Sequence, residues 1–464
     1  MSVLTLAFLL VVMAGVAAGL GLLWSKGSLN ELICDGACGP SAVATPDALA
    51  REGRPGSTAT RAAATGRLDP DAIEEAVRDE LGSGDLGSHV GFAAVDPADG
   101  TVVASEGEDV YVPASTTKLL TALAALDTMD TQQRFHTRVM RRDDRIVLVG
   151  GGDPQLVTSL PRKKEYAEQA DLRTLARRTA ESLRRVNTTS VRLDYDSSLF
   201  KGPSASPTWE KSYISEKIVT PVSALWVDGG TAGGVRVDDP PKAAADTFAR
   251  LLERRGIEVT NSPIETRAPY ASSSQPLATV RSATVAQIVE AMVAKSDNEA
   301  AEVLLRQAAV EAQNPASFEG GVATVEEVLE RLDVDTTGLE LFDGSGLSRS
   351  NRISPQTLAE VVVASMRSDH TKSLVSDLAV GGFTGTLARR FGKAEAGLGV
   401  ARGKSGTLTG VHSLAGYVTD REGTPIAFAV MTDRTKSINP FVTEAALDRV
   451  VAALADCSCS SPVP

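Results

Sequence analysis

Hydrophobic residues recur along much of the chain at the spacing of amphipathic helices. Ile73, Val77 and Leu81 stand four residues apart and follow Asp69, a capping residue that precedes a proline, so residues 70–81 are predicted to form a helix. Similar stripes predict further helices over residues 172–186, 243–255, 286–294, 299–312, 324–332 and 441–453.

Between these helices lie short apolar runs that end in turn residues. Residues 90–95 and 101–104 flank an Asp-Pro-Ala-Asp-Gly segment, which predicts a hairpin of two strands. Further strands are predicted over residues 146–149, 413–418 and 426–431. Helices mixed with hairpin-connected strands indicate an α+β fold, with helices packed on an antiparallel sheet.

The first residues of the chain form the longest apolar segment. Residues 3–24 contain no ionisable side chain, and as a helix they would span about 33 Å, enough to cross a bilayer. We therefore expect residues 1–25 to form a membrane anchor, with a cleaved signal peptide as the alternative. Residues 26–68 hold few large apolar residues and are predicted to be a flexible linker.

Composition narrows the classes of function. The length of 464 residues predicts more than one domain. A net charge of -12 argues against nucleic acid as a partner, because phosphate binding requires a basic surface. The four histidines are far apart in sequence and form no ligand cluster, so we expect neither a metal ion nor another cofactor.

Four cysteines lie near the two ends of the sequence: Cys34, Cys38, Cys457 and Cys459. An even number beside a membrane segment indicates disulfides in an oxidising compartment outside the cytoplasm. Of the three pairings, we favour one that links the two ends of the chain. A four-thiolate zinc site is the weaker alternative, because the spacings match zinc motifs poorly.

A serine and a lysine open one predicted helix, over residues 115–126. Ser115 and Lys118 lie three residues apart and so share one helix face, where a lysine with a lowered pKa can serve as base for the serine. This pattern alone has low specificity. Ser198 and Lys201 repeat it, but a Gly-Pro pair follows at once, which is incompatible with a helix.

Two further short motifs follow. Ser296-Asp297-Asn298 lies between two predicted helices, where each of its residue types would also serve as an ordinary cap. Lys404-Ser405-Gly406-Thr407 precedes a strand-like run, and its simplest interpretation is a loop. The three motifs occur in the order Ser-x-x-Lys, Ser-x-Asn, Lys-Ser/Thr-Gly, which is typical of penicillin-binding proteins and class A β-lactamases.

With these motifs the sequence resembles the D-alanyl-D-alanine carboxypeptidases of the class C low-molecular-mass penicillin-binding proteins. The resemblance extends over residues 113–122, 151–154, 221–225, 296–299, 343–352 and 404–411. It implies a serine transpeptidase fold, β-lactamase-like, formed by residues 69–130 and 266–464. Residues 131–265 would be an inserted domain, shorter than in typical members of the family.

The resemblance also implies roles for individual residues. Ser115 would be the nucleophile and Lys118 the base, while Ser296 and Asn298 would complete the proton relay and hold the substrate amide. Lys404 would add positive potential that lowers the pKa of Lys118. The backbone N–H groups of Ser115 and Thr407 would form the oxyanion hole. The substrate-binding residues that the resemblance implies are Ser405, Gly406, Thr407, Leu347 and Thr409.

The implied reaction is removal of the terminal D-Ala from peptidoglycan stem peptides through an acyl-enzyme on Ser115, and β-lactams would be inhibitors. A DD-endopeptidase uses the same residues and stays open as an additional activity. A class A β-lactamase is disfavoured, because no glutamate loop for deacylation follows Ser296. The alternative from another class is a non-catalytic envelope protein that binds peptidoglycan.

Overall fold

The structure is a computed structural model, and it describes residues 66–462 except 108–109, 143–144, 162–166, 267–275 and 436–438. The predicted membrane segment, Cys34 and Cys38 lie outside the described residues. Within the described ranges, no helix has both the length and the apolar character needed to cross a membrane.

A six-stranded antiparallel sheet forms the centre of the larger layer. Its strands are β2 (Val90–Val95), β3 (Val102–Glu106), β11 (Ala379–Val380), β12 (Arg402–Leu408), β13 (Val411–Thr419) and β14 (Pro425–Thr432). They lie in the order β11-β12-β13-β14-β2-β3, and every neighbouring pair is antiparallel. The predicted α+β class and the hairpin of β2 and β3 are confirmed.

Helices cover both faces of this sheet. Phe92 and Ala94 of β2 face a core shared with α1 (Pro70–Leu81) and α11 (Pro440–Asp456). Ala93 and Val95 face the opposite core, because successive side chains of a strand alternate. The helices of that core are α2 (Lys118–Thr128), α6 (Val285–Lys295), α7 (Asn298–Glu311), α8 (Phe318–Arg331), α9 (Pro355–Arg367) and the short α10 (Ser373–Asp377).

A second sheet has five strands, which are β4 (Arg134–Arg142), β5 (Arg145–Val149), β6 (Ser190–Asp196), β9 (Glu258–Val259) and β10 (Ala278–Thr284). They lie in the order β10-β4-β5-β6-β9. The β5–β6 and β6–β9 pairs are parallel, so the expectation of antiparallel pairing holds for the first sheet but not throughout the second. Helices α3 (Leu172–Arg185) and α5 (Pro240–Glu253) bury its aliphatic face.

The segment between β6 and α5 is mostly irregular. It contains the one-turn helix α4 (Ser212–Ser215) and the small hairpin of β7 (Thr231–Ala232) and β8 (Val235–Arg236). The predicted division into residues 69–130, 131–265 and 266–464 stays a prediction. Strand β10 of the second sheet comes after residue 265.

The two ends of the described chain meet in a two-stranded sheet. Strand β1 (Gly66–Leu68) pairs antiparallel with β15 (Ser460–Pro462), so ordered structure begins inside the segment predicted to be a linker. Cys457 is bonded to Cys459, and their Cα atoms lie 5.2 Å apart, an ordinary separation for a disulfide. The preferred pairing between the two ends of the chain is therefore wrong for these two cysteines.

Candidate active site

Ser115 lies in a tight turn in front of α2. Residues 114–117 form a 3-10 helix, so the α-helix begins three residues later than predicted. Ala114 has a φ of 49°, a left-handed conformation that costs energy for a residue with a side chain. Two hydroxyls hold this turn by donating to the Pro113 carbonyl, Thr116 Oγ1 at 2.7 Å and Ser413 Oγ at 2.6 Å.

Lys118 is fully buried below the serine. Its Nζ lies 3.0 Å from Ser115 Oγ, 2.7 Å from Asn298 Oδ1 and 2.6 Å from the Ser345 carbonyl oxygen. The first two motifs, which are far apart in sequence, thus meet at one amine. The serine and the lysine have the contact that a nucleophile and its base require.

The surroundings of Lys118 favour the neutral amine. Burial lowers the pKa of Lys118 from its ordinary value to about 8. The carboxylates of Asp343, Glu302, Asp297 and Glu299 act in the opposite direction and stop the pKa from falling further. Burial, and not the second lysine that the resemblance invoked, is the leading cause of the shift.

The Ser296-Asp297-Asn298 motif serves both as a cap and as part of the site. Asp297 Oδ1 accepts a hydrogen bond from Ala300 N at 2.9 Å and so caps α7. Ser296 ends α6 in a left-handed conformation with a φ of 55°. This kink between two helices places Ser296 and Asn298 beside the two lysines. The interpretation as a cap is confirmed, and the functional role implied by the resemblance stays a prediction.

Lys404 lies within β12, not in a loop as the simplest interpretation had it. Its Nζ donates to Ser296 Oγ at 2.9 Å and to the Ser405 carbonyl at 2.6 Å. Burial lowers the pKa of Lys404 well below its ordinary value, and the charge on Lys118 lowers it further. The third motif is thereby linked to the second through the Ser296 hydroxyl.

Gly406 is required by the close approach of β12 to the serine turn. A Cβ atom at this position would lie 2.7 Å from the Pro113 carbonyl oxygen and 2.9 Å from Ser115 N. Any larger residue would separate the strand from the nucleophile. The glycine of the motif therefore has a steric reason.

Three further residues predicted to bind the substrate, Ser405, Thr407 and Thr409, lie on or directly after β12. Ser405 Oγ donates to Thr386 Oγ1 at 2.8 Å, and Thr407 Oγ1 donates to Glu444 Oε1 at 3.2 Å. Both side chains project from one face of β12, opposite the face on which Lys404 contacts Ser296 and Gly406 approaches Ser115. The exposed Thr409 follows the strand, and its carbonyl accepts from Arg349 at 3.1 Å.

Leu347, in contrast, is buried in the core of the catalytic helices with 7% of its surface exposed. It belongs to the loop over residues 343–352, which the resemblance had singled out. Asp343 organises that loop by accepting from Ser348 N at 2.7 Å and Asn351 Nδ2 at 2.7 Å. The folded loop presents the Ser345 carbonyl to Lys118.

Several groups at the site were missed from the sequence. No sequence motif marks the Ser345 carbonyl or the Ser413 hydroxyl, because every residue has a backbone carbonyl and isolated serines are common throughout the chain. Glu302 was detectable: it stands four residues after Asn298 in a predicted helix and so shares its face. Among the described residues, no cluster of histidine, cysteine or acidic side chains could hold a metal ion.

Comparison with known proteins gives a consistent assignment. A family model, D-Ala-D-Ala carboxypeptidase 3 (S13) family, matches residues 73–233 and 230–454. A carboxypeptidase of Mycobacterium tuberculosis is 34% identical over 342 residues, covering 69% of this chain and 71% of the relative. Carboxypeptidase DacB of Mycolicibacterium smegmatis is 34% identical over 366 residues, covering 75% and 76% of the two chains.

The fold is similar to that of a solved structure. Penicillin binding protein 4 of Haemophilus influenzae has a TM-score of 0.67 at 21% identity, covering 82% of this chain and 98% of that one. That protein was also solved in complex with a β-lactam. The chain belongs to the S13 family of D-Ala-D-Ala carboxypeptidases, and it is a serine-type D-Ala-D-Ala carboxypeptidase, as the resemblance of its motifs predicts.

Proposed function

We propose that Ser115 and Lys118 carry out the acyl transfer of this carboxypeptidase. The neutral Lys118 amine takes the proton of Ser115 Oγ while the oxygen attacks the carbonyl carbon of the penultimate D-Ala. The peptide C–N bond then breaks, and the terminal D-Ala leaves with a proton on its nitrogen. Water hydrolyses the resulting ester and regenerates the serine.

The remaining motif residues have supporting roles in this proposal. Ser296 passes a proton to the leaving nitrogen, and the contact of Lys404 with its hydroxyl favours that path. Asn298 holds the substrate amide while it orients Lys118. The N–H groups of Ser115 and Thr407 stabilise the oxyanion, each by about 2.7–4 kcal/mol.

The substrate carboxylate is proposed to bind along β12. Lys404 supplies positive charge, and the hydroxyls of Ser405 and Thr407 supply hydrogen bonds on the exposed side of the strand. Gly406 allows the strand to approach the serine. Leu347 and Thr409 are proposed to affect the stem-peptide side chain, Leu347 through its loop and Thr409 by direct contact.

The proposed place of action is the outside of the cytoplasmic membrane. Polymerised peptidoglycan lies outside that membrane, and the bond between Cys457 and Cys459 fits an oxidising compartment. In this proposal residues 3–24 anchor the protein, and the linker carries the enzyme to the cell wall. The second sheet and its helices would be the inserted domain.

One observation carries the catalytic proposal: Lys118, which is fully buried, lies 3.0 Å from Ser115 Oγ and has a pKa of about 8. A protein that only bound peptidoglycan would need no such amine. The test is mass spectrometry of the full-length protein after incubation with benzylpenicillin. We expect one penicilloyl adduct on the peptide that contains Ser115.

The matched variants are Ser115→Ala and Ser198→Ala, since both serines stand three residues before a lysine. Lys201 Nζ contacts the Ser198 carbonyl, not its hydroxyl, so Ser198 lacks a base. Ser115→Ala is expected to abolish the adduct, and Ser198→Ala to keep it. An unlabelled, folded wild-type protein would favour the non-catalytic alternative, and cleavage of a cross-linked muropeptide into its two monomers would reveal endopeptidase activity.

A further inference from the structure

A buried carboxylate beside the active site has no part in the reaction described so far. Glu302 lies on α7, one turn after Asn298, and its side chain is inaccessible to solvent. Its Oε1 accepts from Ser345 N at 2.8 Å, and its Oε2 accepts from Gly344 N at 3.1 Å. The carbonyl of the same Ser345 accepts from Lys118 Nζ at 2.6 Å.

These contacts require a carboxylate in particular. Two neighbouring backbone N–H groups point at the side chain, and only an ionised carboxylate offers an acceptor to each of them. A glutamine would offer one acceptor and one NH₂ group, which would face a second donor. Burial and the charge of Asp343 raise the pKa of Glu302 to about 7, while Arg306, one turn further on and also buried, acts to lower it. Above that pH the carboxylate form that these contacts require predominates.

We propose that Glu302 is a positioning residue, which fixes the Ser345 peptide so that its carbonyl holds the Lys118 amine against Ser115. Burying a carboxylate costs free energy unless it is hydrogen-bonded, so Glu302 strongly favours the loop conformation in which both N–H groups donate to it. These two hydrogen bonds make the loop rigid at this point. The inference rests on the proposed function of Lys118 as the base. Glu302 thus joins the residues of the three motifs, and it acts only through its effect on Lys118.

The charge of Glu302 has a separate effect that can be measured apart from its geometry. A negative charge stabilises the ammonium form, so removing it lowers the pKa of Lys118. The charged groups that face Lys118 from the surrounding elements are Lys404, Asp297, Glu299, Glu302 and Asp343. Those that face Glu302 are Asp343, Arg306 and Lys118.

The experiment measures the acylation rate constant of the full-length protein with a fluorescent penicillin between pH 6 and pH 9.5. The variants are Glu302→Gln and Glu302→Asp, and Glu299→Gln is the control. Glu299 is also a carboxylate of α7 near Lys118, but it is paired with Arg236 and has no contact with the Ser345 loop in the described structure. Rate constants are taken per labelled site, so partial unfolding lowers the amplitude without changing the rate.

At high pH Lys118 is neutral in every variant, and only its position differs. There we expect Glu302→Gln to be about 10- to 100-fold slower than wild type, because one N–H group loses its acceptor. Glu302→Asp keeps the charge but is one methylene shorter, so it should be slow at high pH without a shift of the pH profile. Glu302→Gln should also move the acid side of the profile to lower pH, and Glu299→Gln should keep the high-pH rate within about twofold.

Two outcomes would overturn the inference. If Glu302→Gln moves the pH profile but keeps the wild-type rate at high pH, Glu302 acts by charge alone. If Glu302→Asp and Glu302→Gln both react at the wild-type rate, Glu302 has no positioning role. A wild-type protein without any adduct on Ser115 would instead contradict the proposed function itself.

Discussion

The layer around the six-stranded sheet and the layer around the five-stranded sheet differ in the kind of charged side chain that they bury. The first buries Lys118, Lys404 and Glu302 almost completely. In the described part of the second layer no lysine is fully buried, and the Lys242–Asp246 pair leaves both side chains about a third exposed. The second layer does bury carboxylates, namely Asp153, Asp171, Asp194 and Asp196. A buried amine is costly, so the pair of buried lysines in the first layer marks the candidate catalytic centre without reference to any motif.

Two residues with a strained backbone lie at the motifs of the first layer. Ala114 and Ser296, which adjoin or form the motifs, both have positive φ values without being glycine. The hydroxyl contacts to the Pro113 carbonyl and the cap at Asp297 hold these conformations in place. In the second layer the positive φ values of Asn187, Lys217 and Asp228 lie outside the strands, while Leu148 and Leu193 pack as ordinary aliphatic residues at the centre of its sheet. Stability and chemistry are thus separated within one chain.

The largest effect is expected for Lys118→Met. This variant removes the base but keeps an apolar side chain of similar length, so the acylation rate should fall by about 10²- to 10⁴-fold. The measurement is the rate of labelling by a fluorescent penicillin. Lys242→Met in the second layer is the matched control and should label at the wild-type rate; equal losses in both variants would contradict the comparison.

A buried ion pair of the catalytic layer should contribute more to stability than an exposed ion pair of the second layer. Arg390 and Asp448 of the catalytic layer form a pair with side chains only 9% and 6% exposed. Arg390→Met leaves a buried carboxylate without its partner, so the free energy of unfolding should fall by about 3–5 kcal/mol. Arg177→Met breaks the exposed pair with Glu181 and should cost about 0.5 kcal/mol or less. The measurement is urea unfolding of both variants. Similar midpoints of the two unfolding transitions would refute the expected difference.

A cavity in the second layer should affect stability without affecting chemistry. Leu193 is completely buried in β6, and Leu193→Ala should lower the free energy of unfolding by about 2–5 kcal/mol. Leu120→Ala in α2 removes an equally buried side chain two residues after Lys118 and should cost a similar amount. Only Leu120→Ala should slow the labelling rate per active site. Slower labelling by Leu193→Ala would show that the second layer also shapes the site.

The sequence predicts best those elements whose own pattern contains the reason for their structure. Helix α1 begins at Pro70 because Asp69 caps it, and its three apolar residues are all buried, as expected. Strand β4 was missed, since its arginines and its histidine hide the alternation of strand residues. Strand β12 was also missed, because a buried lysine and two glycines are placed there by the active site and not by a hydrophobic core.

The residues of the candidate site could be proposed from the sequence, but their geometry could not. The motifs identified Ser115, Lys118 and Lys404, and the structure brings them together through Asn298 and Ser296. The carbonyl of Ser345 could not be predicted, because which backbone oxygen meets a side chain depends on tertiary structure. The cause of the lowered pKa of Lys118 was also beyond the sequence, since burial is a property of the folded chain.

The smallest expected effect is the pH dependence of the labelling rate, which distinguishes the buried amine of Lys118 from an ordinary lysine. Because the pKa of Lys118 is about 8, the neutral fraction should rise about tenfold between pH 7 and pH 9, as should the labelling rate, a change of about 1.4 kcal/mol. The unfolded lysine keeps its proton up to about pH 10.4, so this group also makes the fold more stable as pH rises from 8 toward that value. A labelling rate that is flat or falls from pH 7 to pH 9, measured on protein that stays folded, would mean that Lys118 is not the base, and the contrast between the two layers would then concern stability alone.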